Sequence, residues 1–164
     1  MANTALDQFR RVNEEVYYAS SPLSLASRAT IEELKAVARK NARGRARICF
    51  HASPEAPLHD MLIALCNTTN YQPHKHLNKA EAFHLIEGRL RVVLFSDGGV
   101  VENSFELAGT NNADADGVAF YCRIPLKVFH TVVPISEMVV FREVTDGPFI
   151  PEETIFSPWP FDPA

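Results

Sequence analysis

Residues 73–88, PHKHLNKAEAFHLIEG, set histidines at 74 and 76, a glutamate at 81 and a glycine at 88. On a β-strand, side chains at i and i+2 project to one face, so His74 and His76 are expected side by side, their Cα atoms about 6 to 7 Å apart. LNKA, residues 77–80, is short and polar enough to turn the chain back. Glu81, at the head of the next strand, then faces the two imidazoles, and Gly88 closes that strand at a turn. The pattern HxH, four residues, Glu, six residues, Gly arises on the order of once in a thousand shuffled chains of this composition. The stretch therefore reads as three ligands of one metal ion on neighbouring strands. A later run, PLKVFH at 125–130, supplies His130 as the fourth. Alone, His130 would read as a core histidine with one satisfied hydrogen bond; beside the first motif it reads as a ligand.

The chain around this motif has 164 residues, enough for one domain with a real core. Its formal net charge of -4 argues against a general nucleic-acid binder and directs attention to small-molecule chemistry or protein contact. The start, MANTALDQFRR, has no apolar signal-like core, and about 18 consecutive apolar residues occur nowhere, so a cytoplasmic protein without membrane contact is expected. Cys49, Cys66 and Cys122 form no CxxC pair and suit a reducing compartment, each read as a small hydrophobe.

From residue 46 onward, short runs rich in Val, Ile, Phe and Tyr alternate with turn signals: ARICFHA, DMLIALCNT, AFHLIEG, RLRVVLFSD, VENSFELA, GVAFYCRI, VFHTVVPI and MVVFREV, with SDGG at 96–99 as a hairpin turn. The run PLHDMLIALC also admits a buried helix, because periodicity does not settle a short apolar run; its surroundings favour a strand. One helix is expected over 31–42, with Thr30 and Glu33 as a capping box, an apolar stripe of Ile31, Leu34, Val37 and Ala38, and Gly44 at the C-cap. The basic run RKNARGRAR at 39–47 admits an anion-receiving patch, but cations also favour a helix C-terminus and a solvated loop, and that reading is preferred. Residues 1–29 read as a lead-in with VYYAS as an edge strand, and residues 30–164 as the domain. The Pro-rich tail reads as an extended strap anchored by Phe156 and Trp159.

HxHx4Ex6G and PxKxxH resemble the two motifs of the cupin superfamily, with Thr68, Ala119 and Lys127 where glycine usually stands. The order of RARICFHASP, YQPHKHLNKAEAFHLIEG, IPLKVFHTVVP, VVFREVTDGPF and FSPWP is similar to the WbuC-type cupin-fold metalloproteins, over roughly residues 30–160. The resemblance implies an all-β, single-domain jelly-roll barrel with one N-terminal helix. It also implies one divalent metal (Zn, Fe, Mn or Ni) on His74, His76, Glu81 and His130. Other residues of the shared pattern are candidates for substrate binding: Tyr71 beside the first motif, Lys79 in the turn, able to reach an anion, Arg123 as a carboxylate clamp, and His51 at the pocket wall. Lys75 is expected to be solvated and His84 structural.

The expected function is a metal-binding protein acting on a small sugar or sugar-nucleotide derivative in polysaccharide-related metabolism. Its chemistry would be that of a metal-dependent isomerase or oxygenase. An Fe(II)-dependent dioxygenase and a non-catalytic, metal-dependent ligand-binding module are the alternatives, and a homodimer is the expected assembly.

Overall fold

A computed structural model describes residues 4–110 and 117–162. Among the described residues, twelve strands and one α-helix appear in chain order: β1 (Phe9–Arg11), β2 (Val16–Ala19), α1 (Arg28–Lys40), β3 (Arg45–Cys49), β4 (Leu58–Cys66), β5 (His74–His76), β6 (Glu81–Glu87), β7 (Arg89–Phe95), β8 (Val101–Ala108), β9 (Tyr121–Ile124), β10 (Phe129–Pro134), β11 (Met138–Asp146) and β12 (Thr154–Phe156). They form two sheets, a seven-stranded one ordered β1-β2-β3-β4-β11-β6-β9 and a five-stranded one ordered β12-β5-β10-β7-β8.

The run whose periodicity was ambiguous is a strand. β4 pairs with β11 over nine residues, Leu58 opposite Asp146 through Cys66 opposite Met138. Both of its faces are covered, which is why no clean alternation shows. Met61, Ile63 and Leu65 enter the core between the sheets with Leu85, Leu90, Val92, Leu107 and Val139. Leu62 and Ala64 lie on the outer face, where Leu34 and Ala38 of α1 are fully buried against Ile48 and Val140. At Gly88 (φ +81) the chain leaves the seven-stranded sheet and enters the other, and a Cβ there would lie 2.6 Å from the Met138 carbonyl oxygen.

Several local expectations need correction. The helix begins at Arg28, capped by Ser27, whose hydroxyl accepts from the Thr30 amide while the Thr30 hydroxyl accepts from the Ser27 amide. Thr30 therefore sits at N3, and the Glu33 carboxylate instead takes the amides of Ala5 and Leu6 at 2.9 Å each, tying the lead-in to the helix. The C-cap is Asn41 and not Gly44. VYYA lies inside the sheet, covered by β1 and paired in parallel with β3. Only Tyr121–Ile124 of GVAFYCRI is a strand, and the tail contributes an edge strand, β12, paired with β5. Among the described residues no helix is long and apolar enough to cross a membrane.

Candidate metal centre

Strand pairing assembles the centre from both sheets. In the five-stranded sheet His74 stands directly opposite His130, while Thr154 and Phe156 stand opposite His76 and His74. Glu81 comes from the facing sheet, at the start of β6. The turn before β10 places Lys127 at φ +67, so the left-handed conformation is kept although a lysine fills the position, and its amide donates to the His76 carbonyl at 2.7 Å.

The ligand atoms of His74, His76, Glu81 and His130 lie within 4.8 Å of one another, a grouping that can hold one metal ion. Each imidazole is oriented through its other nitrogen. His74 Nδ1 faces the Gln72 carbonyl at 3.2 Å, His130 Nδ1 the Val128 carbonyl at 3.0 Å, and His76 Nδ1 the Thr154 hydroxyl at 3.1 Å. A neutral imidazole has one N–H, so Nδ1–H donating to a carbonyl leaves a lone pair on Nε2. The Glu81 carboxylate receives two such nitrogens, His76 Nε2 at 2.9 Å from Oε1 and His130 Nε2 at 2.9 Å from Oε2. A lone pair and a carboxylate oxygen that close repel unless a proton or a cation lies between them. The donor set therefore fits a divalent cation, and three imidazoles with one carboxylate suit Zn, Fe(II), Mn or Ni.

Burial followed by the neighbouring His130 pushes His74 down to about 4, so it is neutral at pH 7. Burial opposes ionisation of Glu81, yet with a proton on each facing Nε2, in the place an ion would take, the hydrogen bonds from His130 and His76 overcome it and hold the carboxyl well below the usual range. Lys75, between the two histidines, is not solvated as expected. Its ammonium pairs with Asp97 at 2.5 Å and lies 4.3 Å from the Phe129 ring centre.

The donors open onto a cavity of about 600 Å³, within the range of small-molecule sites. Tyr71, Lys79 and His51 line it. Arg45 lies over the Tyr71 ring at 5.2 Å, Lys79 over Phe149 at 5.3 Å, and His51 stacks on His59 at 4.1 Å. Arg123 does not join them: it is exposed, pairs with Ala82, and alternates away from Ile124, whose side chain enters the core. His84 is exposed against Phe120, on the face of β6 opposite Glu81.

Sequence reasoning missed Arg47, His59, Glu143 and Thr154, which also line the cavity. Glu143 stands opposite Phe83 and Met61, one inward position from the rank of Glu81. Burial, then the charge of Glu81, pushes it up to about 8 against the pull of Arg47 and Lys79. The signal available was a charged residue at an inward position of the hydrophobic run MVVFREV, where an unmatched carboxyl is costly.

Residues 26–107, which are 82 of the 164, match the family model described as a domain of unknown function, DUF6016. The chain belongs to the DUF6016 family. The match includes His74, His76 and Glu81 but stops before His130, so the DUF6016 region supplies three of the four donors. Among solved structures, the DUF6016 chain is similar to the capsular polysaccharide assembling protein CapF of Staphylococcus aureus, at 17% identity and a TM-score of 0.56, over 71% of this chain. It spans only 30% of the length of CapF. It is also similar to protein SO0799 of Shewanella oneidensis, at 12% identity and a TM-score of 0.55, over 71% of this chain and 75% of that one. The comparison with curated proteins gives no match. The structural likenesses are of fold, a cupin-like β-sandwich.

Proposed function

We propose that this protein is a metal-dependent cupin-fold protein of the WbuC type, acting on a small sugar or sugar-nucleotide derivative in polysaccharide-related metabolism, with His74, His76, Glu81 and His130 holding one divalent ion. The observation that carries the reading is the convergence of three oriented imidazoles and one carboxylate on a point at the wall of a small-molecule cavity. The fold likeness to a capsular polysaccharide assembling protein supports the polysaccharide part. When bound, a divalent ion supplies polarisation of a carbonyl or hydroxyl oxygen, or a bound water of lowered pKa.

The chain's own residues do the rest. Tyr71, Met61, Ile63, Phe83 and Phe141 give the cavity apolar walls that exclude water around a ligand. Glu143, neutral for much of the physiological range, offers a carboxyl O–H on the same inner face as Glu81. Elemental analysis of protein purified without an affinity tag tests the proposal. The expected result is about one equivalent of Zn, Fe, Mn or Ni, lost in His74→Ala and His130→Ala; a metal-free wild type that takes up none of the four ions refutes it. Oxygen consumption coupled to a substrate would assign the protein to the dioxygenases, and ligand-dependent melting without product to the binding modules. A homodimer with β12 at the contact belongs to the same proposal, supported by the exposure of Ile155 and Phe156 on that edge strand.

A further inference from the structure

Glu143 shares the inner face of the seven-stranded sheet with Glu81. Alternation along β11 sends Phe141, Glu143 and Thr145 inward and Val140 and Arg142 outward: Phe141 packs in the core between the sheets, Val140 under α1, and Arg142 pairs with Asp60 at the surface. Register then places Glu143 in the middle of one rank across β3, β4, β11, β6 and β9, made of Cys49, Met61, Glu143, Phe83 and Cys122, in which no other residue is charged. The next rank toward the metal donors contains His59, Thr145 and Glu81. Glu81 is thus the diagonal neighbour of Glu143, and diagonal pairs on one face of a sheet lie about 7 to 8 Å apart.

The Glu143 carboxyl has no protein partner: among the described residues it makes no hydrogen bond or ion pair. Met61 and Phe83 beside it offer no donor. Thr145 gives its hydroxyl proton to the Ala80 carbonyl at 2.9 Å, and His59 turns Nε2 onto the Pro54 carbonyl at 3.0 Å. Arg47 and Lys79 act on Glu143 only from beyond ion-pair distance. The side chain lines the cavity all the same, among Met61, Phe83 and Phe141. A carboxyl so placed weakens the fold unless something within the cavity hydrogen-bonds it.

We propose that Glu143 is the specificity residue of the site: it takes a hydroxyl of a ligand whose neighbouring oxygen is held at the metal donors, so that the cavity selects neutral, polyhydroxylated ligands over apolar ones of the same size. A hydroxyl suits Glu143 in either protonation state, since it donates to a carboxylate and both donates to and accepts from a carboxyl. A ligand carboxylate or phosphate at that point would meet a second acid beside Glu81, and like charges in a poorly solvated space repel. The role rests on the metal-dependent reading above for the ligand's other anchor. The diagonal spacing is one that a sugar-sized molecule spans, and the cavity of about 600 Å³ holds it.

Two zinc-chelating probes with the same carbon skeleton test the role: threonohydroxamate, which carries hydroxyls next to its chelating group, and butyrohydroxamate, which carries none. Each is titrated calorimetrically into zinc-loaded protein, with zinc content measured on the same samples. Wild type is expected to bind threonohydroxamate about tenfold or more tightly than butyrohydroxamate, as a hydrogen bond to a carboxylate allows. In Glu143→Leu that preference should fall below about twofold at unchanged zinc content, with butyrohydroxamate bound at least as well as by wild type, and Glu143→Gln, which keeps hydrogen-bonding atoms, should retain part of the preference. The urea midpoint of metal-free Glu143→Leu should equal or exceed that of metal-free wild type, because the substitution removes an unpartnered carboxyl. Equal binding of the two probes by zinc-loaded wild type, survival of the preference in Glu143→Leu, or a lowered urea midpoint in that variant overturns the role of Glu143 and leaves the metal reading intact. Should Glu143→Leu fail to fold, its loss of structure counts against the role in the same way, and the wild-type comparison of the two probes stands by itself. A wild type that takes up no zinc and binds neither probe overturns both readings, so zinc content tells the two failures apart.

Discussion

Thr154→Val tests whether the tail is part of the metal centre. The Thr154 hydroxyl is 3.1 Å from His76 Nδ1, and His76 is only 6% exposed, so water cannot readily take the hydroxyl's place. Valine keeps the shape and the β-propensity of the residue and leaves the backbone pairing of Thr154 with His76 in place. What is lost is the partner that fixes the imidazole's tautomer and ring angle. Losing such a partner costs roughly 10- to 100-fold in metal affinity. That corresponds to about 1.4 to 2.7 kcal/mol. An independent route, leaving one buried N–H without an acceptor, gives about 1 to 3 kcal/mol, so the two arguments agree. The assay is competition for zinc against a chromophoric chelator, with Thr154→Ser as the rescue, since serine restores the hydroxyl. A Thr154→Val protein with a zinc Kd within twofold of wild type, alongside a His76→Ala protein that has lost zinc, would refute the claim that Thr154 positions His76.

Three further outcomes are expected. Saturating metal, at a hundredfold excess over Kd, stabilises the fold by about 2.7 kcal/mol, so the melting temperature should rise by roughly 5 to 11 °C over chelator-treated protein; the rise should vanish in His74→Ala and persist in His84→Ala. In metal-free protein, His74 and His51 are held near 4 by burial against 6.5 when unfolded, so the unfolded chain binds more protons between pH 6.5 and 4 and stability falls as pH drops through that window. Glu143, raised to about 8 from 4.5, acts in the opposite sense, so stability declines as pH rises from 4.5 to 8, and Glu143→Gln should flatten that limb in urea midpoints measured at pH 5 and pH 8. Gly99→Ala should destabilise by about 1 to 3 kcal/mol in urea, because Gly99 has φ +85 and a Cβ there would meet the Trp159 ring at 2.9 Å.

His74, His76 and Glu81 were legible because their placement depends on strand alternation and one tight turn, both local; His130, brought in by the pairing of β10 with β5, was legible only as the second motif accompanying the first. The strand character of β4 was legible only through its neighbours, since a strand covered on both faces loses its period. Arg47, read with the solvated basic run, is indeed exposed, and that its strand also brings it to the rim of the cavity follows only from the fold. Glu143 and Thr154 could not be placed, because their relation to the metal donors depends on which strands pair and in which register: β11 beside β6, and β12 on the free edge of β5. The capping signal was misplaced by three residues because Ser27 with Thr30 and Thr30 with Glu33 have the same form in sequence. Glu33 was free to bind the lead-in only because the chain folds Ala5 and Leu6 back onto the helix.

The histidines belong to one sheet and Glu81 to the other. An ion held by all four would therefore act as a rivet between the two layers, and its loss would free the sandwich to gape at that end. Occupancy by the ion would then set the width of the slot in which a ligand must fit, so that metal status and ligand size selection become one mechanical variable.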